Sequence, residues 1–495
     1  LPEGFQKRSS DRVLLHFGAV DQECRVFVNG ELAGEHRGGY LPFTLDITDI
    51  LAEGENTLTA AVTDRTSKGP HAYGKQSFTP GGIWYTPQSG IWQTVWLEAV
   101  PENYVKSLRF TPLYDEKTVR LQIEADRAEG ANIVVRKAGE VIAEEWADEK
   151  GEAAVLIQAE HFRPWSPDDP FLYDVTVTLG EDRVESYFAL RKISVVERQG
   201  QKVLALNDRP IFLSGVLDQG YWPDGLYTAP SDEALAYDIQ AMKDLGFNLL
   251  RKHIKIEPLR WYYHCDRLGM LVWQDLVSGG SHMNPLVIQV LPFLGVHLRD
   301  WRHQLFGRGD EAGRDQFVQD LYDTVALLYN TPSLAAWVPF NEGWGQFDSL
   351  QITQLLWEED GTRLVDHASG WHDQGGGDFK SRHVYFHKVR LRPDGRRVLA
   401  LTEFGGYSLP LPGHTASDRE FGYRMYRGAE ELTAAWRRLY EGEVIPHMER
   451  RGLSAAVYTQ LSDVEEEVNG LLTYDRKVCK VDPAVVREIN RRLRF

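Results

Sequence analysis

The apolar positions of this chain change their period part-way along. From Arg12 to about Val100 they alternate with polar ones in short runs bounded by turn residues, the period-two habit of half-buried strands. Arg25-Val26-Phe27-Val28 runs into Asn29-Gly30, a hairpin signal because both turn residues tolerate positive φ. Residues 41–47, 56–63 and 94–98 read as further strands, and helical period is limited to one turn near Ile50. From Pro101 to about Arg191 the same pattern repeats at 105–112, 118–125, 131–137, 153–158, 172–179 and 184–190, with a turn cluster at Trp165-Ser166-Pro167-Asp168-Asp169-Pro170. After Ile193 strands begin to alternate with helices. A strand at 211–217 precedes a helix that Ser231 or Asp232 caps, that buries Leu235, Ile239, Met242 and Leu245 on one face, and that Gly246 ends. Strand 247–252, helix 258–268 and strand 270–274 follow. Helix 314–329 spaces Phe317, Leu321, Val325 and Leu328 along one face, and strands at Leu334, Arg363, His383, Val398 and Leu453 bring the count to eight.

These patterns predict three domains. Residues 1–100 form a jelly-roll β-sandwich lacking its first strands, and residues 101–192 an immunoglobulin-like β-sandwich. Residues 193–495 form a (β/α)8 TIM barrel, which eight βα units favour over an open sheet. The long interval after the third barrel strand reads as a rim loop.

Two of the barrel strands end in acids. Leu334-Ala335-Ala336-Trp337-Val338-Pro339-Phe340 is an apolar run of the kind buried on both faces of a parallel sheet, and it stops at Asn341-Glu342-Gly343-Trp344-Gly345. Val398-Leu399-Ala400-Leu401-Thr402 stops at Glu403-Phe404-Gly405-Gly406. Carboxyl ends of barrel strands are where α/β barrels carry their chemistry. A pair of carboxyl groups converging there is what cleavage of a glycosidic bond with retention requires, one as nucleophile and one as acid then base. Asn341 is an amide able to hold a sugar hydroxyl beside the reacting carbon. Taken singly, each Glu reads as a solvated loop residue; taken together at two strand ends, they read as a site.

The bulk numbers narrow the field. With 42% hydrophobic and 26% charged residues the chain is globular, and its formal charge of −17 disfavours nucleic acid or an anionic membrane as partner. Three scattered cysteines suit neither a disulfide framework nor a zinc site and point to a reducing, cytoplasmic compartment. No signal peptide or apolar run long enough for a membrane span is visible, and the chain opens at Leu1 as though inside a domain.

The order of domains resembles glycoside hydrolase family 2, which includes β-galactosidases, β-glucuronidases and β-mannosidases. Gly81-Gly82-Ile83-Trp84 through Ser89-Gly90-Ile91-Trp92-Gln93-Thr94-Val95-Trp96-Leu97-Glu98 is similar to that family's sugar-binding-domain signature. Phe340-Asn341-Glu342 resembles its acid/base motif, and Thr402-Glu403-Phe404-Gly405-Gly406 its nucleophile motif. The resemblance implies Glu342 as acid/base and Glu403 as nucleophile. It also implies that Arg251 supports the nucleophile, that His253 faces the sugar, and that Tyr385 hydrogen-bonds the nucleophile. His383, Asp275, Trp371 with His372 and Asp373, and Trp344 complete the candidates: Asp275 for a hydroxyl or a turn, Trp371 for a sugar or the core, Trp344 as a stacking face. No metal motif and no cofactor are implied. Oligomerisation is common in the family, so a homo-oligomer is compatible with the resemblance, and no residue pattern here reports one. The chain lacks an Asn-x-Lys-Gly stretch of the kind β-glucuronidases use for a sugar carboxylate, which argues against a uronide. Tyr458-Thr459-Gln460-Leu461-Ser462-Asp463 stands where β-galactosidases are tryptophan-rich. The expected function is a retaining exo-glycosidase of β-galactosidase type. An arabinosidase or a non-catalytic carbohydrate-binding protein is the alternative.

Overall fold

The computed structural model describes residues 4–8, 10–281, 283–292 and 294–495; the first three residues of the expected first domain lie outside the described residues. The chain divides into two compact units, Leu1–Arg65 with Ser89–Lys192 and Ala326–Pro332, and Thr66–Gln88 with Ile193–Val325 and Ser333–Phe495.

The first unit holds two sandwiches. In one, Arg12–Phe17 lies between Phe43–Asp46 and Val95–Val100, and Glu23–Val28 lies between Glu31–Arg37 and Leu58–Thr63. Asn29 and Gly30 both take positive φ (52° and 88°), so the hairpin turns where the sequence places it. Val13, Leu15, Phe17, Val26 and Val28 fill the core. The other sandwich sets three strands (Ser107–Leu113, Thr118–Glu124, Glu152–Leu156) with four (Asn132–Lys137, Glu140–Trp146, Tyr173–Leu179, Asp182–Phe188) around Val119, Leu121, Ile133, Val175 and Phe188. Glu140–Trp146 escapes the sequence reading because it is an edge strand, largely exposed, whose Glu-rich run shows no alternation. A hairpin of Ile193–Arg198 and Gln201–Leu206 opens the second unit and also went unread.

The second unit is built on eight parallel strands: β1 (Leu213–Asp218), β2 (Leu249–Lys252), β3 (Leu271–Asp275), β4 (Leu334–Val338), β5 (Leu364–Val365), β6 (Phe379–Val384), β7 (Val398–Gly405) and β8 (Leu453–Thr459). The ladder runs β5-β4-β3-β2-β1-β8-β7-β6. The remaining gap is bridged by one residue: Asp378 donates its amide to Val365 O (2.8 Å) and accepts the Val365 amide on its carboxylate (2.8 Å). Every residue of β1 to β4, β7 and β8 is buried, which is why these strands read as unbroken apolar runs. Helix α1 (Asp232–Asp244) is capped by Ser231, whose side chain accepts from Ala234 N, and buries Leu235, Ile239 and Met242. Helix α2 (Leu259–Leu268) stops at Gly269 in the left-handed region. Thr66–Gln88 is grouped with this unit, and Tyr73 and Gly74 donate their amides to Ser278 O (3.0 and 2.9 Å) on the loop after β3. Among the described residues no helix is long and apolar enough to cross a membrane.

Candidate active site

The carboxyl ends of β2, β3, β4, β6 and β7 deliver the site. After β4, Asn341 bridges to Ser369 and the Glu342 amide donates to Ser369 O (3.0 Å). Glu342 takes φ +51°, in the left-handed region that a side chain other than glycine's rarely adopts, and Gly343 and Gly345 follow with φ +77° and +62°. This turn holds the carboxyl group inside, 8% exposed. Glu403 sits on β7 itself, 4% exposed. One oxygen of each carboxylate and one nitrogen of His383 lie within 4.8 Å of one another.

A single guanidinium organises this cluster. Arg251, at the end of β2, donates Nε and Nη2 to the two oxygens of Asp275 (2.9 and 3.1 Å), Nη2 to Asn341 Oδ1 (2.9 Å), and Nη1 to Glu403 Oε1 (3.2 Å) and Thr402 O (3.1 Å). Burial works against its charge, but Asp275 and Glu403 more than compensate and hold its pKa above the usual value. By engaging Asn341 Oδ1, Arg251 fixes the amide so that Nδ2 is the group left over. That buried donor has no protein partner among the described residues.

Glu403 accepts a second side-chain hydrogen bond from the Tyr385 hydroxyl, just past β6, and that hydroxyl also meets Thr459 Oγ1 (3.1 Å). The Tyr385 ring lies flat on Tyr423, with centroids 4.0 Å apart and an interplanar angle of 7°. His383 Nδ1 stands between the acids, 2.8 Å from Glu342 Oε1 and 3.4 Å from Glu403 Oε2. Burial pulls His383 down to about 4, leaving a neutral imidazole at neutral pH. Burial also pushes Glu342 up to about 8, against the pull of the Lys75 and Arg251 cations. Glu342 is therefore largely a neutral acid at pH 7.

His253 Nδ1 contacts Asp275 Oδ2 (2.8 Å), and burial holds this ring well below its usual pKa. The carboxylate needs an N–H there, so Nε2 of the neutral ring is an acceptor. Asp275 thus aligns Arg251 and His253. Trp344 lies 6.1 Å from His253, ring centroid to ring centroid, and Trp371 is half-buried 6.3 Å from the His383 ring. Two neighbours of Trp371 are engaged elsewhere: His372 accepts the Leu298 amide (3.1 Å) and contacts Val287 O (3.0 Å), and Asp373 pairs with Arg397 (2.8 Å).

The geometry adds residues that the sequence reading passed over. Tyr423 lies on the loop after β7, where no periodicity marks it. Glu467, after β8, accepts the Tyr85 hydroxyl on one oxygen and Asn469 Nδ2 on the other (2.9 Å). Lys75 places Nζ 5.0 Å from the Trp344 ring, 5.4 Å from Tyr85 and 5.8 Å from Trp84. Lys75 lies just ahead of the run 80–92, which is too rich in glycine and aromatic residues for an ordinary connector and reads in the sequence as a long structured loop. The donor atoms of Glu342, His383 and Glu403 are spaced closely enough for a metal ion, but His383 already bonds Glu342, so an ion there would have to displace that contact.

Residues 3–132 match the family described as glycosyl hydrolases family 2, sugar binding domain, and residues 103–191 match glycosyl hydrolases family 2. Residues 3–191 are thus similar to two domains of glycoside hydrolase family 2. The chain is 28% identical over 296 residues to a β-galactosidase of Thermoanaerobacter pseudethanolicus, covering 56% of this chain and 38% of that one. It is 28% identical over 338 residues to a β-galactosidase of Lactococcus lactis, covering 63% of this chain and 32% of the relative. The chain thus spans about a third to two fifths of the length of these curated relatives. A solved β-D-glucuronidase of Dictyoglomus thermophilum has the same fold, with a TM-score of 0.77 at 16% identity over 98% of this chain and 87% of that one.

Proposed function

We propose that this chain is a retaining exo-glycosidase working by double displacement. Glu403 attacks the anomeric carbon as the bond to the aglycone oxygen breaks, and Glu342 gives that oxygen its proton. The sugar is then an ester of Glu403. Water, deprotonated by Glu342, attacks the same carbon and releases Glu403 as the carboxylate, so the two inversions sum to retention.

The observation that carries this reading is the approach of the two acids to within 4.8 Å, on the side of about 5–5.5 Å that retaining enzymes use rather than the about 6.5–9.5 Å that leaves room for a water in inverting ones. Their surroundings differ as the roles require. Glu342 is raised to about 8, which keeps a proton available for the leaving group. Glu403 faces the Arg251 guanidinium and the Tyr385 hydroxyl, two donors to a negative charge. Asn341 Nδ2 and His253 Nε2 offer a donor and an acceptor for sugar hydroxyls, and Trp344 an aromatic face.

The relatives' names point to two kinds of terminal sugar, β-galactosides and β-glucuronides, which differ at C4 and in whether C6 is a hydroxymethyl or a carboxylate. Within the chain we assign sugar-binding-type sandwich character to 1–100, an immunoglobulin-like spacer to 101–192 and the reaction to 193–495. Replacing Glu403 by Gly should abolish release of nitrophenol from aryl β-glycosides. Added azide should then restore turnover and give the glycosyl azide of inverted configuration. Wild-type rates in Glu403→Gly would refute the assignment.

A further inference from the structure

Four lysines are fully buried among the described residues, and three of them are tied to carboxylates. Lys252 meets Asp218 (2.6 Å) and Glu257 (2.9 Å), Lys255 meets Glu257 (2.9 Å), and Lys480 meets Asp463 (2.6 Å). That is how a folded chain tolerates a buried ammonium. The fourth, Lys75, is 4% exposed, and among the described residues its Nζ has neither a hydrogen-bond acceptor nor an ion-pair partner. It has only the ring faces of Trp344, Tyr85 and Trp84.

Its position is tightly held. The Tyr85 amide donates to Lys75 O (3.0 Å), the Tyr85 hydroxyl is bound by Glu467, and the Gly82 amide donates to Glu466 Oε2 (3.1 Å). The ring of Trp84 packs 5.1 Å from that of Trp344, two residues beyond Glu342. The ammonium is therefore fixed beside the reacting acids with three N–H donors unused. The guanidinium of Arg251, the other cation of the cluster, is spent on Asp275, Asn341 and Glu403.

Resting on the glycosidase reading, we propose that Lys75 is the specificity-determining residue of this site and that it takes a carboxylate carried by the terminal sugar, making hexuronides the preferred substrate class. A neutral sugar could satisfy the three donors with hydroxyls, but it would leave the positive charge buried without a counter-ion. A carboxylate supplies both. The aromatic walls strengthen the pairing by excluding water, and they give the ring's C–H face a surface to lie on. Burial lowers the Lys75 pKa while Glu467, Glu403 and Glu342 pull it back up, and a bound carboxylate adds to that pull. The cation comes from a segment far ahead of the barrel, so the missing Asn-x-Lys-Gly stretch does not count against a uronide.

The test uses the whole chain and two readouts. In the first, kcat/KM is measured for nitrophenyl β-D-glucuronide, β-D-galacturonide and β-D-galactoside with the wild type and Lys75→Met. The wild type should favour a uronide, and the ratio of uronide to galactoside kcat/KM should fall by about a hundredfold or more in Lys75→Met, the size of effect that loss of a buried charge partner produces. A ratio unchanged by the substitution, or a wild type that favours the galactoside, overturns the proposal. In the second, calorimetry on the wild type compares D-glucuronate and D-galacturonate with D-glucose and D-galactose, and so does not depend on the variant folding. At least one uronate should bind tenfold more tightly than its neutral counterpart; equal or weaker binding overturns the proposal. If no aryl glycoside is turned over at all, the glycosidase reading falls by itself and the calorimetric comparison still decides the role of Lys75.

Discussion

Arg251 and Asp275 meet edge to edge, Nε on Oδ1 at 2.9 Å and Nη2 on Oδ2 at 3.1 Å. This fork fixes the plane of the guanidinium and leaves Nη1 aimed at Glu403. A lysine has one ammonium and cannot hold both directions. Arg251→Lys is therefore expected to lose at least a thousandfold in kcat, and Arg251→Met, which strands Asp275 without a counter-ion, should cost about 3–5 kcal/mol of stability. Steady-state kinetics and denaturant unfolding check the two effects.

On the proposed mechanism the proton on Glu342 sets an alkaline limit. Raised to about 8 by burial, this carboxyl is a competent acid below that pH and loses its proton above it, so kcat/KM for a poor leaving group should fall on the alkaline side of about pH 8. Glu342→Gln should remove that limb and slow the poor leaving group by at least about a hundredfold more than a nitrophenol.

Stability follows the same titration. The folded-state pKa of Glu342 lies above its unfolded value, so its contribution is fully present below the unfolded pKa and is lost as pH rises through about 8. Glu342→Gln should accordingly have a melting temperature above the wild type at pH 8, by about 3 °C or more, with the gap closing toward pH 4. His383 acts with the opposite sign. Its folded pKa is lowered to about 4, so the stability it contributes is present above its unfolded pKa and falls away as pH drops toward 4. His383→Gln should flatten that acid side in scanning calorimetry.

Gly405 closes β7 at φ +87°, and a Cβ there would run into the Tyr458 ring. Gly405→Ala should destabilise the fold by about 1–3 kcal/mol and disturb Glu403 two residues away, so activity should fall further than the loss of folded protein explains. Unfolding curves set beside active-site titration separate the two.

The Tyr85 hydroxyl satisfies one oxygen of the buried Glu467. Tyr85→Phe leaves that oxygen without its donor, at about 1–3 kcal/mol, and loosens the wall carrying Lys75 and Trp84. KM should rise more than kcat falls. Thermal unfolding and a full kinetic analysis report this.

Much of the fold could be read because burial on both faces of a parallel strand leaves an unmistakable apolar run, as in β4 and β7, and because Ser231 and Gly246 mark helix ends by simple backbone chemistry. Glu140–Trp146 could not be read, since an exposed edge strand has no core to impose alternation. In the candidate site, residues at strand ends could be picked out one by one: Arg251, Asp275, Asn341, Glu342 and Glu403 each follow or close an apolar run, whereas His383 lies in the polar strand Phe379–Val384. Lys75 and Tyr423 could not. Their position depends on how irregular segments return to the barrel, and no local period encodes that.

The hydrogen bonds from Gly82 and Thr86 to Glu466 and Glu465, with Tyr85 on Glu467, join stretches of chain nearly four hundred positions apart. An excised fragment beginning at Ile193 would keep all eight barrel strands and both acids, yet it would have lost the wall holding Trp84 and Lys75. Such a fragment is expected to retain hydrolytic machinery while losing its discrimination among sugars. Any recombination that exchanges the leading sandwich, and Thr66–Gln88 with it, is therefore expected to change which sugars the barrel accepts without altering a single residue of the barrel.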